Sequence, residues 1–409
     1  MRDQALKPTL DGTVTVSPEY ALLLDAIAPL DVARTDHRGW NSDLWGRTLR
    51  IADWHRLSPM LFCHLASRGD APAPVRSALE RAYLASSARS LFISDAQRRV
   101  VGALLAAEVP ALLLKGAALV ETVYPDPAQR EMLDLDILVA PEQIARASLA
   151  LAPLGYRPSE AADALGETSM QLEPTSPHAP ALVGREQLVA VELHHHLTIP
   201  GEGRRFQIDQ IWDRARPSSR GPHLLPSPED LLLHVSLHFT RNRLGGSYRR
   251  RHTGGALAQV CDIARIVEHE QLHWGRLAAS ARSYGLDTRV FLALFAAREL
   301  GVAVPEDALA ELQPRGFDRA VGRRLVTLRV LRAEDHLPVR TLRWMLAPSR
   351  EVLSRGWNAD PTAPSSLARA YMRRAKAHAP LARSAIRQPG MFIQDRRLNG
   401  QIRALEDRM

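Results

Sequence analysis

From residue 18 to about residue 100, apolar positions recur at spacings of three and four, in PEYALLLDAIAPL, DLWGRTLRIADWHRLSPMLFCHLA and PVRSALERAYLASSARSLFISDAQRRVVGALLAA. That period gathers apolar side chains on one helical face, so the segment reads as helices with almost no strand pattern. The character changes at Val109, where VPALLL is a short apolar run after a helix, and it changes back near residue 220. Between these limits the pattern predicts strands at 109–114, 132–139 and 187–197 and helices at about 116–123, 142–152 and 207–215. Two helix starts are marked. Pro141 and Glu142 follow the run LDILVA, while Ser227, Pro228, Glu229 and Asp230 supply a cap, a first-turn proline and a capping-box acid. Helical periodicity returns from Ser227 to about residue 345, and the last 60 residues, rich in Arg, Pro and Ala, read as a helical extension or a partly disordered tail. The expected fold class is α+β, with a small mixed sheet flanked by N- and C-terminal helical regions. The expected divisions are 1–105, 106–220, 221–348 and 349–409.

Composition narrows the classes. No apolar stretch reaches the roughly 20 residues that span a bilayer, and MRDQALKPTLDG lacks the order of a signal peptide, so a cytoplasmic protein without membrane association is expected. Cys63 and Cys261 each sit in an apolar helical context and read as buried thiols rather than as a disulfide or metal pair. A net charge of +8 is compatible with a polyanionic partner, and equally with a general bias toward Arg. Only three lysines occur, Lys7, Lys115 and Lys376, and Lys115 stands in the most motif-like segment of the chain.

That segment, LLLKGAALVETVYPDPAQREMLDLDILVA, carries Asp134 and Asp136 one residue apart in an apolar strand. Alternation puts both carboxylates on one face, with Leu133, Leu135 and Ile137 on the other. Two like charges on a buried strand are unfavourable unless cations neutralise them, and Mg²⁺ favours carboxylate oxygens together with substrate phosphates. An isolated Asp-x-Asp would fit a solvated edge strand as well. The second strand shifts that balance, because QLVAVELHHHL places Glu192, His194 and His196 on one face and Val191, Leu193, His195 and Leu197 on the other. Three acids from two adjacent strands can hold two divalent ions roughly 3.5–4 Å apart, an arrangement suited to in-line displacement at phosphorus.

Taken in order, LKGAAL, YPDP, Arg130, DLDILV with PEQIARA, LGY, VELHHHL and SPEDLLLHVSLH resemble the bacterial nucleotidyltransferase family 5 proteins, of the DNA polymerase β-like nucleotidyltransferase superfamily. The resemblance covers about residues 50–280. It implies that Lys115 and Gly116 take the phosphate-binding place, Asp134 and Asp136 the metal place, and Glu192 the place of the third carboxylate. The superfamily's Gly-Ser pair is replaced here by Lys115–Gly116. A glycine at such a turn permits close backbone approach, helix-start amides attract phosphate, and a lysine adds a point charge. Arg130 is a further candidate for the triphosphate, or else a structural residue. His194 is a candidate for phosphate, metal or the incoming hydroxyl, or a support for Glu192.

The expected activity is therefore a Mg²⁺-dependent transfer of a nucleoside monophosphate, AMP from ATP or another NTP, to a hydroxyl-type acceptor with release of pyrophosphate. Two alternatives remain: a nucleotide- or nucleic-acid-binding protein that has lost the chemistry, and a nucleotidyl or phosphoryl transferase acting on a peptide or protein. Nucleic acid is possible but not favoured as the partner. The pair His234 and His238 lacks the glutamate of a zinc-peptidase HExxH, since Val235 stands in its place, so these histidines are expected to pack between the helical region and the sheet, with Asp262 as a partner. Arg249, Arg250 and Arg251, between Gly245, Gly246, Gly254 and Gly255, read as a solvated basic loop or a phosphate clamp.

Overall fold

Leucine-rich helices surround a narrow twisted sheet. The computed structural model describes residues 16–28, 35–69, 71–158, 177–179, 181–184, 189–198, 203, 205–244, 254–331 and 365–366. Four helices come first: α1 (Pro18–Ile27), α2 (Ser42–Trp54), α3 (Ser58–Ala66) and α4 (Ala73–Ala106). Asn41 caps α2, its Oδ1 accepting from the Leu44 amide at 2.9 Å. Between α2 and α3 the chain turns where Arg56 takes φ +56°, and Pro59 then opens α3.

The sheet is built from β1 (Leu112–Leu113), β2 (Asp134–Leu138), β3 (Arg157–Pro158), β4 (Leu182–Val183), β5 (Ala190–His194), β6 (Arg216–Pro217) and β7 (Leu224–Leu225), in the spatial order β3-β4-β5-β2-β1-β7-β6. It is mixed: β2 runs parallel to β5 and antiparallel to β1. Helices α5 (Lys115–Thr122), α6 (Ile144–Leu151) and α7 (Asp209–Asp213) are interleaved with the strands. The three expected strands are present at their centres but shorter than their apolar runs. Helix α4 closes onto Val109, whose amide bonds Leu104 O, so β1 starts late. Four two-residue strands escaped sequence reading, since two residues carry no period. The expected start at Pro141 is a 3₁₀ turn (Pro141–Gln143) before α6.

Beyond the sheet lie α8 (Pro228–Phe239), α9 (Ala256–His269), α10 (Trp274–Tyr284), α11 (Asp287–Glu299), α12 (Glu306–Leu312) and α13 (Arg319–Val326). Ser227 caps α8 as expected, its Oγ accepting from the Asp230 amide at 3.2 Å and donating to Asp230 Oδ2 at 2.7 Å. The basic loop at 245–251 and nearly all of the tail at 349–409 lie outside the described residues. Gly254 and Gly255 have a packing role: a Cβ on Gly254 would stand 2.2 Å from Trp54 O, and the Gly255 amide donates to that same oxygen at 2.8 Å.

Alternation along β2 and β5 sorts their residues between two cores. Leu135, Ile137, Val191 and Leu193 join one continuous core that includes Leu22 of α1, Leu104 of α4, Leu231 of α8 and Ile263 of α9. Leu138 points to the opposite face, where Leu112, Leu114, Leu197 and Ile211 form a smaller cluster. Each fully buried leucine or isoleucine of that cluster contributes about 2 kcal/mol. Asp134 and Asp136 share the face of Leu138.

Candidate active site

The parallel register sets Asp134 beside Ala190, Asp136 beside Glu192 and Leu138 beside His194. Sequence-distant carboxylates thus become lateral neighbours because both strands bury their odd-numbered residues in the same core. Asp136 is almost wholly buried, at 3% exposure. Its Oδ1 accepts from Lys115 Nζ at 2.5 Å and from His194 Nε2 at 2.7 Å. Glu192 Oε2 lies 4.0 Å from Lys115 Nζ, 3.6 Å from His194 Nε2 and 3.9 Å from His178 Nε2. Lys115 reaches this position from the start of α5 with φ +43°, a left-handed conformation that a non-glycine residue adopts at a cost of about 1–2 kcal/mol.

Three carboxylates crowd around one ammonium, with the Arg130 charge also acting on Asp134. The ionisation of each group reflects this. Burial pushes Asp134 up to about 6, and the neighbouring charges of Asp136 and Glu192 add to the effect. Burial also acts to raise Asp136, but the Lys115 charge and the His194 hydrogen bond overcome it and hold that carboxyl well below the usual range. Glu192 is likewise lowered against burial, chiefly by its bond to His194. Lys115 would lose affinity for its proton on burial, yet the charges of Asp136 and Glu192 raise it. Behind this layer His234 of α8 meets His194 edge-on, with ring centroids 6.4 Å apart. Burial, and then the Lys115 charge, keep His234 neutral.

The other candidates have partners of their own. The Arg130 guanidinium is bound by Asp262 of α9, at 2.8 Å to Oδ1 and 2.9 Å to Oδ2, and Tyr124 Oη donates to the same carboxylate at 2.8 Å. Asp262 therefore serves Arg130 and Tyr124 rather than the expected His234 and His238, and His238 lies 3.5 Å from Gln259 instead. Gly116 is buried under Met132, whose Sδ would stand 2.9 Å from a Cβ there, so close packing is one reason for the glycine. His196 leaves the site face because β5 ends at His194; its Nδ1 accepts from the Thr198 amide at 3.1 Å and its ring packs on Phe206. Cys261 is buried as expected and Cys63 half-buried, both as free thiols. His178 carried no signal in sequence: it reaches the site through an isolated antiparallel bridge to His194.

Met132 also lines a cavity of about 520 Å³ between α4, α5 and residues 220–223. Its floor is a buried pair, with His223 Nε2 at 3.0 Å from both oxygens of Glu121, and Gln97 and Ser218 complete that carboxylate's bonds. This network ties α4 and α5 to the turn before β7. None of the three candidate carboxylates lines the cavity.

Residues 41–301 match the family described as uncharacterised nucleotidyltransferase. The chain belongs to that family. It is accordingly a transferase of nucleotidyl groups by membership, and the matched span includes every candidate residue above. Among solved structures, that of the antibiotic-resistance factor ANT(2'')-Ia, determined in solution, is similar at 11% identity and a TM-score of 0.29, over 48% of this chain and 93% of that one. Comparison with curated proteins gives no match. No helix among the described residues of this nucleotidyltransferase is long and apolar enough to cross a membrane.

Proposed function

We propose that this face of the sheet transfers a nucleoside monophosphate from ATP or another NTP to a hydroxyl-type acceptor. The acceptor oxygen attacks the α-phosphorus, the bond to the bridging oxygen breaks, and pyrophosphate leaves. One observation carries the reading: Asp134, Asp136 and Glu192 share one face of two register-locked strands, with the Lys115 ammonium set against Asp136 and Glu192. The donor set fits divalent cations such as Mg²⁺, with Asp134, Asp136 and Glu192 as the residues that would hold one or two of them. Bound there, such ions would neutralise the carboxylates and polarise the phosphates.

The chain's own groups supply the rest. Lys115 stands at the start of α5, where first-turn amides have no intrahelical acceptor, so its ammonium and those amides together form the phosphate-binding end of the site. Glu192, held ionised, positions the acceptor hydroxyl or takes its proton. Arg130 acts at one remove by fixing the loop that leads into β2. The core behind the sheet, including Leu135 and Leu193, keeps water from the rear of the carboxylates.

A binding protein without chemistry is the second reading, and the 2.5 Å contact of Lys115 Nζ with Asp136 favours it, since a resident ammonium already satisfies that carboxylate. Isothermal titration with non-hydrolysable ATP, GTP, CTP and UTP analogues, with and without Mg²⁺, tests the first reading. The control is Asp134→Asn with Asp136→Asn, because alanine at 136 would leave Lys115 and His194 without an acceptor. Cation-dependent nucleotide binding that the control loses is the expected result, and binding that is indifferent to both cation and control would leave only the second reading.

A further inference from the structure

The carboxylates do not face the site alone. His194 Nε2 stands 2.7 Å from Asp136 Oδ1 and 3.6 Å from Glu192 Oε2, and one donor atom from each of these three residues lies within 4.8 Å of the others. Donors about 2.1 Å from one ion and at right angles to each other lie about 3 Å apart, so the three can converge on a single cation with small adjustments. A fourth donor adjoins them. His178 Nδ1 lies 2.8 Å from Ala179 O. A carbonyl only accepts, so Nδ1 bears the proton there, and Nε2 stands 3.9 Å from Glu192 Oε2. An imidazole nitrogen and a carboxylate oxygen at that separation, in a partly buried place, can share one cation between them.

We propose that the cation site is a mixed nitrogen–oxygen site, with His194 and His178 as ligands beside Asp136 and Glu192, and that it takes a transition-series divalent ion such as Mn²⁺ in preference to Mg²⁺. The inference rests on the nucleotidyl-transfer reading only for the presence of a cation at these carboxylates. Imidazole nitrogen is a good ligand for late and middle first-row ions and a poor one for Mg²⁺, which demands oxygen and sheds water reluctantly. A site meant for magnesium alone gains nothing from two imidazoles, whereas a histidine side chain that is 97% buried, with its Nε2 2.7 Å from a carboxylate oxygen, selects for ions that accept nitrogen. Ligation requires His194 Nε2 to release the proton it now donates to Asp136, either to Nδ1 or to solvent, and Lys115 Nζ to move off Asp136.

The probe is Mn²⁺ alone, added to the full chain, and then Mn²⁺ with a non-hydrolysable ATP analogue. Electron spin-echo envelope modulation reads nitrogen bound to Mn²⁺ directly. The expected spectrum shows ¹⁴N coupling in the wild type, reduced in His178→Gln and absent in His178→Gln/His194→Gln. Titration calorimetry should give Mn²⁺ affinity at least tenfold above Mg²⁺, with that ratio falling to within about threefold in the double variant. Should the double variant fail to fold, the wild-type spectrum and His178→Gln still decide. Mn²⁺ bound without nitrogen coupling overturns the imidazole ligands and leaves the nucleotidyl-transfer reading intact. No Mn²⁺ bound with or without the nucleotide analogue overturns both.

Discussion

Asp134→Asn should make the metal-free protein more stable while removing cation-dependent nucleotide binding. The Asp134 carboxyl is raised from 3.8 to about 6 by burial and by its carboxylate neighbours, so at neutral pH the folded state holds a charge that the unfolded chain accommodates more easily. Between about pH 4 and 6 the folded protein binds more protons than the unfolded one, and stability falls as pH rises through that window. Fully developed near pH 7, the destabilisation is about 3 kcal/mol at most, reduced by partial exposure and by salt. Near pH 5 it is about half as large, and below about pH 4 it vanishes. Asparagine keeps the shape and removes the charge. Thermal unfolding in EDTA at low salt should therefore show the variant melting higher at pH 7, by roughly 2–3 °C for a chain of this size. The gap should close progressively toward pH 4. A variant that melts at or below the wild type at pH 7, or a gap that does not change with pH, refutes the charge-crowding account of this face.

Three further outcomes follow from contacts already described. Lys115→Met should tighten Mn²⁺ or Mg²⁺ binding in the absence of nucleotide, by about tenfold or more, because the ammonium no longer competes for Asp136, and should weaken NTP binding; calorimetry on both ligands checks the opposite signs. Arg130→Met leaves Asp262 buried with the Tyr124 hydroxyl but without its counter-charge, which is expected to destabilise by about 3 kcal/mol in denaturant titration, whereas a residue that only touched triphosphate would cost no stability. Gly254→Ala drives a methyl group into Trp54 O from a backbone at φ +64°, and a loss of about 2 kcal/mol or more is expected from chemical denaturation, with nucleotide affinity unchanged in the folded fraction.

What the sequence made legible, and what it hid, divides along the range of the interactions. Asp134 and Asp136 could be placed on one face because alternation needs only adjacent residues, and Glu192 could be joined to them because its own strand shows the same period. The register that pairs Asp136 with Glu192 follows from both strands burying one apolar face in a common core. Arg130 could be read only as a triphosphate or a structural residue, because the partner that anchors it, Asp262, lies 132 residues downstream on a helix with its own periodicity. Lys115 could be read as a phosphate contact from its place at a helix start, but the hydrogen bond of its ammonium to Asp136 depends on a register 21 residues away. His178 sits in a stretch without apolar rhythm, so nothing local reveals its place beside Glu192. Strand lengths were overestimated for a related reason: apolar runs such as VPALLL continue past the last ladder hydrogen bond to fill the core.

The clasp between Arg130 and Asp262 also has a temporal side. At roughly 5–20 residues per second, a ribosome needs about 7–26 s after making Arg130 to make its partner. For that interval the segment entering β2 has its guanidinium without a counter-ion, and the carboxylate-bearing strand lacks the helix that will anchor its approach. Fragments that stop short of α9 inherit this state permanently. The nascent chain therefore passes through a stage in which the future chemical centre is exposed and unanchored, and its yield in cells should be sensitive to translation speed and to chaperone supply in a way that the stability of the finished protein would not reveal.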